Sequence, residues 1–329
     1  MMVETIDVGN INQSVSSPLN EQFINKTSGQ KLFYLLASPS RYIQRKFKAG
    51  GLWGSIFTIM ASTVGAGILS LPYAFNLSGL YQGIVIFTLG MIVSLYTCQL
   101  LVIAAEKTGK LTYESIGNEL YGPKMRTFCE VNMIINNYGT VIGYIVLLKD
   151  LVPNCLNLFG VTNSVLLSPY LWGCTITMAI VYPLSLKQEI SALRYTSFLS
   201  TCACIYLAIA ILISFFDRTS DPSKAFADAP AAEISAYDFL TASSYVVFAF
   251  TCHPNVIPIY QELQSRSTKR GFMFLSRGIT IVLVLYLVVG IFGFLTFYDD
   301  YHPLTDFPQQ ILQAKYSKGN VPIIIVYFI

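Results

Sequence analysis

The chain has 329 residues, 53% hydrophobic and only 12% charged, with a net charge of +3 and a mean hydropathy of +0.55. Soluble globular chains carry roughly 25% charged residues, so these are too few to cover a soluble fold of this size. Seven scattered Cys and two His give neither a disulfide framework nor a CxxC metal site, and the long apolar blocks imply an integral, polytopic membrane protein.

In chain order, residues 1–50 are polar and Ser/Asn-rich and lack a signal peptide's apolar core and cleavage site. They read as a disordered cytoplasmic N-terminal tail. Residues 51–329 read as a transmembrane domain. Seven complete spans are predicted near 53–76, 80–105, 127–151, 165–186, 195–216, 238–262 and 273–298, and an eighth starts near Val321. Helix from there to Ile329 would rise only about 13 Å, less than half of a hydrocarbon core. The chain therefore reads as a C-terminally truncated fragment, from which transport by these residues alone is not expected.

Placing the tail in the cytoplasm puts 16 of the 21 Lys and Arg on that side, the asymmetry of the positive-inside rule. The opposite side is net acidic, as suits an extracellular or lumenal face. Sequons at Asn12 and Asn25 fall on the tail and are expected to be unmodified, and that at Asn76 lies too near the membrane for glycosylation. The Arg45-Lys46-x-Lys48 run suits anionic lipid head groups rather than nucleic acid.

Two spans carry internal weak points. Span one contains Thr63-Val64-Gly65-Ala66-Gly67 followed by Pro72, and span six contains Cys252-His253-Pro254 with Pro258. Glycines weaken a helix and each proline removes an amide hydrogen bond. Backbone groups freed at that depth must face protein, ligand or water. Span six is the first after five, so a five-helix repeat beginning at span one would begin again there, upside down. Interrupted helices at matching places of inverted repeats point to a transporter's midplane site.

TVGAGILSLPYAF in span one and FAFTCHPNVIPIYQEL in span six resemble the signatures of the amino acid/auxin permease family. LTYESIGNELYG (Leu111–Gly122) and NNYGTVIGYIVLLKDLVP in span three are similar to the same family. Within it the chain most resembles the vacuolar and the sodium-coupled neutral amino-acid transporters. The resemblance implies an all-α polytopic membrane protein of the leucine-transporter-type inverted-repeat fold, the first five-helix repeat complete and the second incomplete.

It also implies a site. The amides of Gly65, Ala66 and Gly67 would hold a substrate carboxylate. The carbonyls of Thr63 and Val64, and the Thr63 hydroxyl, are candidates for the substrate ammonium or a coupling cation. Backbone carbonyls of Phe248, Ala249, Phe250, Thr251 and Cys252 would face the ligand, with Phe248 or Phe250 as an apolar wall. Sodium-coupled relatives have Asn where this chain has Ala61, which weakens a sodium site at Ala61 and Val64. His253 is either a proton site or, with Pro254, part of a hinge whose freed backbone groups its ring satisfies. Asn132, Asn136 and Thr140 share a helix face expected to look into the bundle and bond across helices. Tyr138 and Tyr144 could reach the ligand. Gly90, Ser94 and Cys98 read as a packing stripe.

The function expected is secondary active transport of small neutral amino acids by alternating access, coupled to protons or sodium. It is not an enzyme, and it uses no cofactor beyond the coupling ion. Its partners are an amino acid and the bilayer, not nucleic acid. The membrane is vacuolar, lysosomal or plasma. A transport-dead amino-acid sensor and a non-functional fragment are the alternatives.

Overall fold

A computed structural model describes residues 51–298, apart from 159–160, 162, 186–192, 220–221, 223–225 and 227–234. The expected N-terminal tail, the sequons Asn12 and Asn25 and the eighth span lie outside the described residues. Those described form helices and short connections, with no strand among them.

Span one is divided into α1 (Leu52–Thr63), a 3-10 stretch (Ala66–Ser70) and α2 (Leu71–Ser78), with a bend of 51° between its two halves. Next come α3 (Leu80–Thr108), α4 (Tyr113–Tyr121) and α5 (Pro123–Leu158). Span four is a string of α6 (Pro169–Ile176), a π-helical stretch (Thr177–Val181) and α7 (Tyr182–Ser185). α8 is Leu193–Arg218. Span six is α9 (Ala236–Ala249) and α10 (His253–Glu262), separated by Phe250–Cys252. α11 (Thr268–Phe297) completes the described chain.

Local chemistry sets the boundaries. The side chains of Thr112, Ser235 and Ser267 accept amide hydrogen bonds at the starts of α4, α9 and α11. Gly109, at φ 66°, supplies the left-handed residue that ends α3.

Among the described residues, three helices are long and apolar enough to cross a membrane: Leu80–Thr108, Phe198–Arg218 and Thr268–Phe297. A fourth is gained if the bent pair α1 and α2 counts as one span. These correspond to expected spans two, five, seven and one. Within the described residues, spans three, four and six do not meet the same measure. α5 has ample length at 36 residues, and it carries Glu130, Asn132, Asn136 and Asn137 in its first half. Spans four and six are each divided into pieces too short to qualify singly.

α3 shows what surrounds the protein. Phe87, Ser94, Cys98, Val102 and Ala105 are buried on one face, yet Tyr81, Val85, Leu89, Ile92, Tyr96 and Leu100 are exposed on the other. A surface helix of a soluble protein would turn polar residues outward. Two small or apolar faces mean that the medium outside is itself apolar. The protein is therefore an integral, multi-pass membrane protein.

α11 is the central strut and packs against α1, α2, α3 and α8. Leu275, Ile279, Val282, Tyr286 and Val289 recur every three or four residues, and all five are buried. Glycine lets neighbours close onto this helix. A Cβ on Gly278 would collide with Ile59 Cγ2, and one on Gly290 with the Phe75 ring. Gly278→Val should therefore push α1 and α11 apart and destabilise the fold by about 1–3 kcal/mol. The measurement is the thermal unfolding midpoint in detergent; an unchanged midpoint would refute the close packing.

Candidate functional site

The first break starts where α1 runs out of regular partners. The Val64 amide still donates to the Met60 carbonyl (2.7 Å), but the Gly65 amide turns back onto the Thr63 carbonyl (2.9 Å). Helical winding resumes at Ala66, and the Ile68 amide donates to the Gly65 carbonyl (3.3 Å). The first amides of a helix have no acceptor within it. The Ala66 and Gly67 amides hold that position, at the positive end of the dipole that runs on into α2. Gly65 differs from them, since its amide already serves Thr63.

The two glycines are small for different reasons. A Cβ on Gly65 would lie 2.6 Å from the Tyr144 hydroxyl of α5. A Cβ on Gly67 would lie 3.3 Å from Ala249 Cα and 3.5 Å from the Phe248 ring. Gly65 thus makes room for a polar group, whereas Gly67 is the surface on which the second broken span rests. Tyr138, 69% exposed, is about 1.7 turns from Tyr144 on α5.

The second break begins at Ala249. The Phe250 carbonyl accepts from the Ser94 hydroxyl and from the Cys252 amide, both at 2.9 Å. α10 then restarts at His253, with Pro254 in its first turn. Proline is tolerated there because its missing N–H needs no partner.

One side chain joins the two breaks. The hydroxyl of Tyr286, fully buried on α11, lies 2.8 Å from the Thr63 carbonyl and 2.9 Å from the Ala249 carbonyl. These are the last residues of α1 and α9, so both negative helix ends converge on one O–H. Its single proton is given to one carbonyl at a time or shared between them. The Tyr286 ring meets Phe250 edge to face, with centroids 5.2 Å apart. Phe250 is accordingly a core ring, while Phe248, half exposed beside Gly67, is placed to be a wall.

The stripe on α3 does more than pack. A Cβ on Gly90 would lie 2.5 Å from Val246, Ser94 serves the Phe250 carbonyl, and the Cys98 sulfur lies 3.7 Å from that of Cys252. Thr97 Oγ1 is 2.7 Å from His253 Nε2 and within 3.0 Å of the Val93 and Ser94 carbonyls. A carbonyl can only accept. When the Thr97 proton goes to one of them, Nε2 carries the hydrogen donated to the Thr97 oxygen. The His253 ring was expected to meet backbone groups if it were structural, and its partner is instead a hydroxyl. The His253 carbonyl accepts from the Tyr113 hydroxyl of α4. Burial pushes the Tyr113 phenol well above its usual value, so it stays a donor.

The remaining residues hold more local positions. The Thr63 hydroxyl donates to its own Ile59 carbonyl (2.6 Å) and the Thr251 hydroxyl to Val247 (2.7 Å). Val64 is buried and Ala61 half-buried on α1. The α5 face expected to look inward is in part so placed, with Asn136 and Thr140 half-buried among exposed neighbours and Asn132 exposed. The bonding expected across helices is corrected: the Asn132 amide bonds to the Phe128 carbonyl and the Thr140 hydroxyl to the Asn136 carbonyl (2.8 Å each). Both groups are satisfied along their own helix rather than across to a neighbour. Tyr286, Ser94, Thr97 and Tyr113 are the residues that sequence reading did not assign to the site. Only the 90–94–98 spacing hinted at them.

The family described as transmembrane amino acid transporter protein matches residues 48–325. The sodium-coupled neutral amino acid symporter 2 of Danio rerio is 27% identical over 275 residues, 76% of this chain and 54% of its own length. The chain thus spans about half the length of this curated relative. No solved structure matches it.

Tyr286→Phe keeps the ring and removes the donor that serves two buried carbonyls. It should lower stability by about 1–3 kcal/mol, read as an earlier thermal transition in lipid nanodiscs. A variant as stable as the parent would mean that the hydroxyl contributes nothing to joining the breaks.

Proposed function

We propose that this chain, which belongs to the transmembrane amino acid transporter family, carries an amino-acid binding site between its two broken helices. The protein of which it forms the site moves small neutral amino acids across a membrane by alternating access. The observation that carries the reading is the meeting of two helix breaks, span one against span six, through Gly67, Ala249 and the Tyr286 hydroxyl.

A zwitterion needs donors for its carboxylate and acceptors for its ammonium. The Ala66 and Gly67 amides, at a positive helix end, are the carboxylate donors in this proposal, and the Tyr144 hydroxyl beside Gly65 is a third. Gly65 contributes space rather than its amide. Carbonyls of the two breaks take the ammonium, with those of Thr63 and Ala249 already engaged by Tyr286. Phe248 borders the side chain as an apolar wall that suits a neutral substrate. The two breaks belong to corresponding helices of an inverted repeat of the leucine-transporter type. Rocking of one repeat against the other opens the site to each side in turn.

The N-terminal tail faces the cytoplasm, supported by the distribution of Lys and Arg. Sodium is the coupling ion favoured by the relative's sodium coupling. Ala61, in place of the Asn of sodium-coupled proteins, is the specific observation favouring a proton. His253, held by Thr97 and carrying the Tyr113 contact on its carbonyl, is a hinge residue in this reading.

The decisive test is uptake of labelled neutral amino acids into proteoliposomes by the full gene product, with sodium and proton gradients imposed separately. Saturable uptake driven by either gradient is expected; binding without uptake would instead indicate a sensor. Gly65→Val places side-chain atoms against the Tyr144 hydroxyl and should reduce affinity at least tenfold, about 1.4 kcal/mol, with membrane insertion unchanged. Retained affinity in that variant would remove Gly65 and Tyr144 from the carboxylate end.

A further inference from the structure

Cys98 of α3 and Cys252 of the second break are both fully buried, with their sulfurs 3.7 Å apart. A disulfide requires about 2.05 Å between sulfurs, so closure calls for an approach of about 1.6 Å. Cys252 has φ −109° and ψ −1° at the start of α10, outside the regular winding of α9. Ser94 and Thr97 beside Cys98, and Thr251 and His253 beside Cys252, line a cavity of about 330 Å³ between α3 and α9. The remainder of that lining is mainly apolar, which admits a small uncharged oxidant.

We propose that Cys98 and Cys252 form a reversible disulfide, a modification site that pins the second break to α3. The oxidant is a hydroperoxide. One thiol attacks its outer oxygen: an S–O bond forms, the O–O bond breaks, and water or an alcohol leaves. The second thiol attacks the resulting sulfenic sulfur: the S–S bond forms, the S–O bond breaks, and water leaves. Two thiols are oxidised by two electrons and one peroxide is reduced. The new bond lies between the Ser94–Phe250 and Thr97–His253 contacts, so three successive ties then hold residues 250–253 to barely more than one turn of α3. The inference rests on the thiol geometry and stands independently of the transport reading.

The full gene product in lipid vesicles is exposed to hydrogen peroxide, unfolded in light N-ethylmaleimide, reduced, labelled with the heavy reagent and digested for mass spectrometry. Heavy label on Cys98 and Cys252 in equal amounts is expected, with a linked peptide in the unreduced digest and full return to light label after dithiothreitol. Amide hydrogen exchange at residues 250–253 should slow in the oxidised form. Light label persisting on both cysteines, heavy label confined to Cys129, Cys155, Cys174, Cys202 or Cys204, or Cys252 passing to sulfinic acid while Cys98 stays a thiol would each overturn the proposal. In Cys98→Ser, dimedone should trap Cys252 as a sulfenic acid. The labelling of the unsubstituted protein decides the matter even where that variant does not fold.

Discussion

Breaking a helix inside a membrane liberates carbonyls that lipid cannot satisfy, and everything at this site follows from how those groups are answered. Thr63 and Ala249 end two helices whose negative dipole ends would repel one another if brought together bare. The Tyr286 hydroxyl, supplied by the most central helix, lies within hydrogen-bonding distance of both. A proton donor thus stands where two partial negative charges converge, and the two interrupted spans can touch at Gly67 and Ala249. The freed Phe250 carbonyl is answered separately by Ser94.

The scaffold is arranged to hold these donors still. α11 supplies Tyr286 and is buried by four neighbours, so the hydroxyl has little freedom to move away. α3 supplies Ser94 and Thr97 from one face while its other face meets the apolar medium. Stacked and edge-to-face rings run from Phe75 through Phe87 and Phe250 to Tyr286, linking the half-helix after the first break to the second break. Tyr113 extends the network to α4, on the connection between spans two and three.

Much of this was legible along the chain. The positions of both breaks followed from the glycine pair and from Pro254, and the winding stops where those residues lower helix stability. The 90–94–98 spacing identified a small-residue face correctly, but not that its hydroxyl and thiol meet the second break. The α5 stripe misled on bonding rather than on facing: equal spacing puts residues on one face, and Asn136 and Thr140 are half-buried there, but spacing does not say which acceptor a polar group takes. Asn132 and Thr140 found acceptors one turn back along their own helix. Tyr286 was invisible, since a tyrosine in an apolar span gives no local sign that its hydroxyl has a partner 223 residues away in sequence.

Composition and local backbone chemistry by themselves determined a membrane protein with two interrupted spans and a family resemblance concentrated at those interruptions. Those properties depend on residues adjacent in the chain. Only the tertiary structure decided which carbonyls stay engaged, that Gly65 makes room for Tyr144 while Gly67 supports Ala249, and that His253 meets Thr97. Each of these is a contact between separate helices, fixed by packing that no single stretch of sequence encodes.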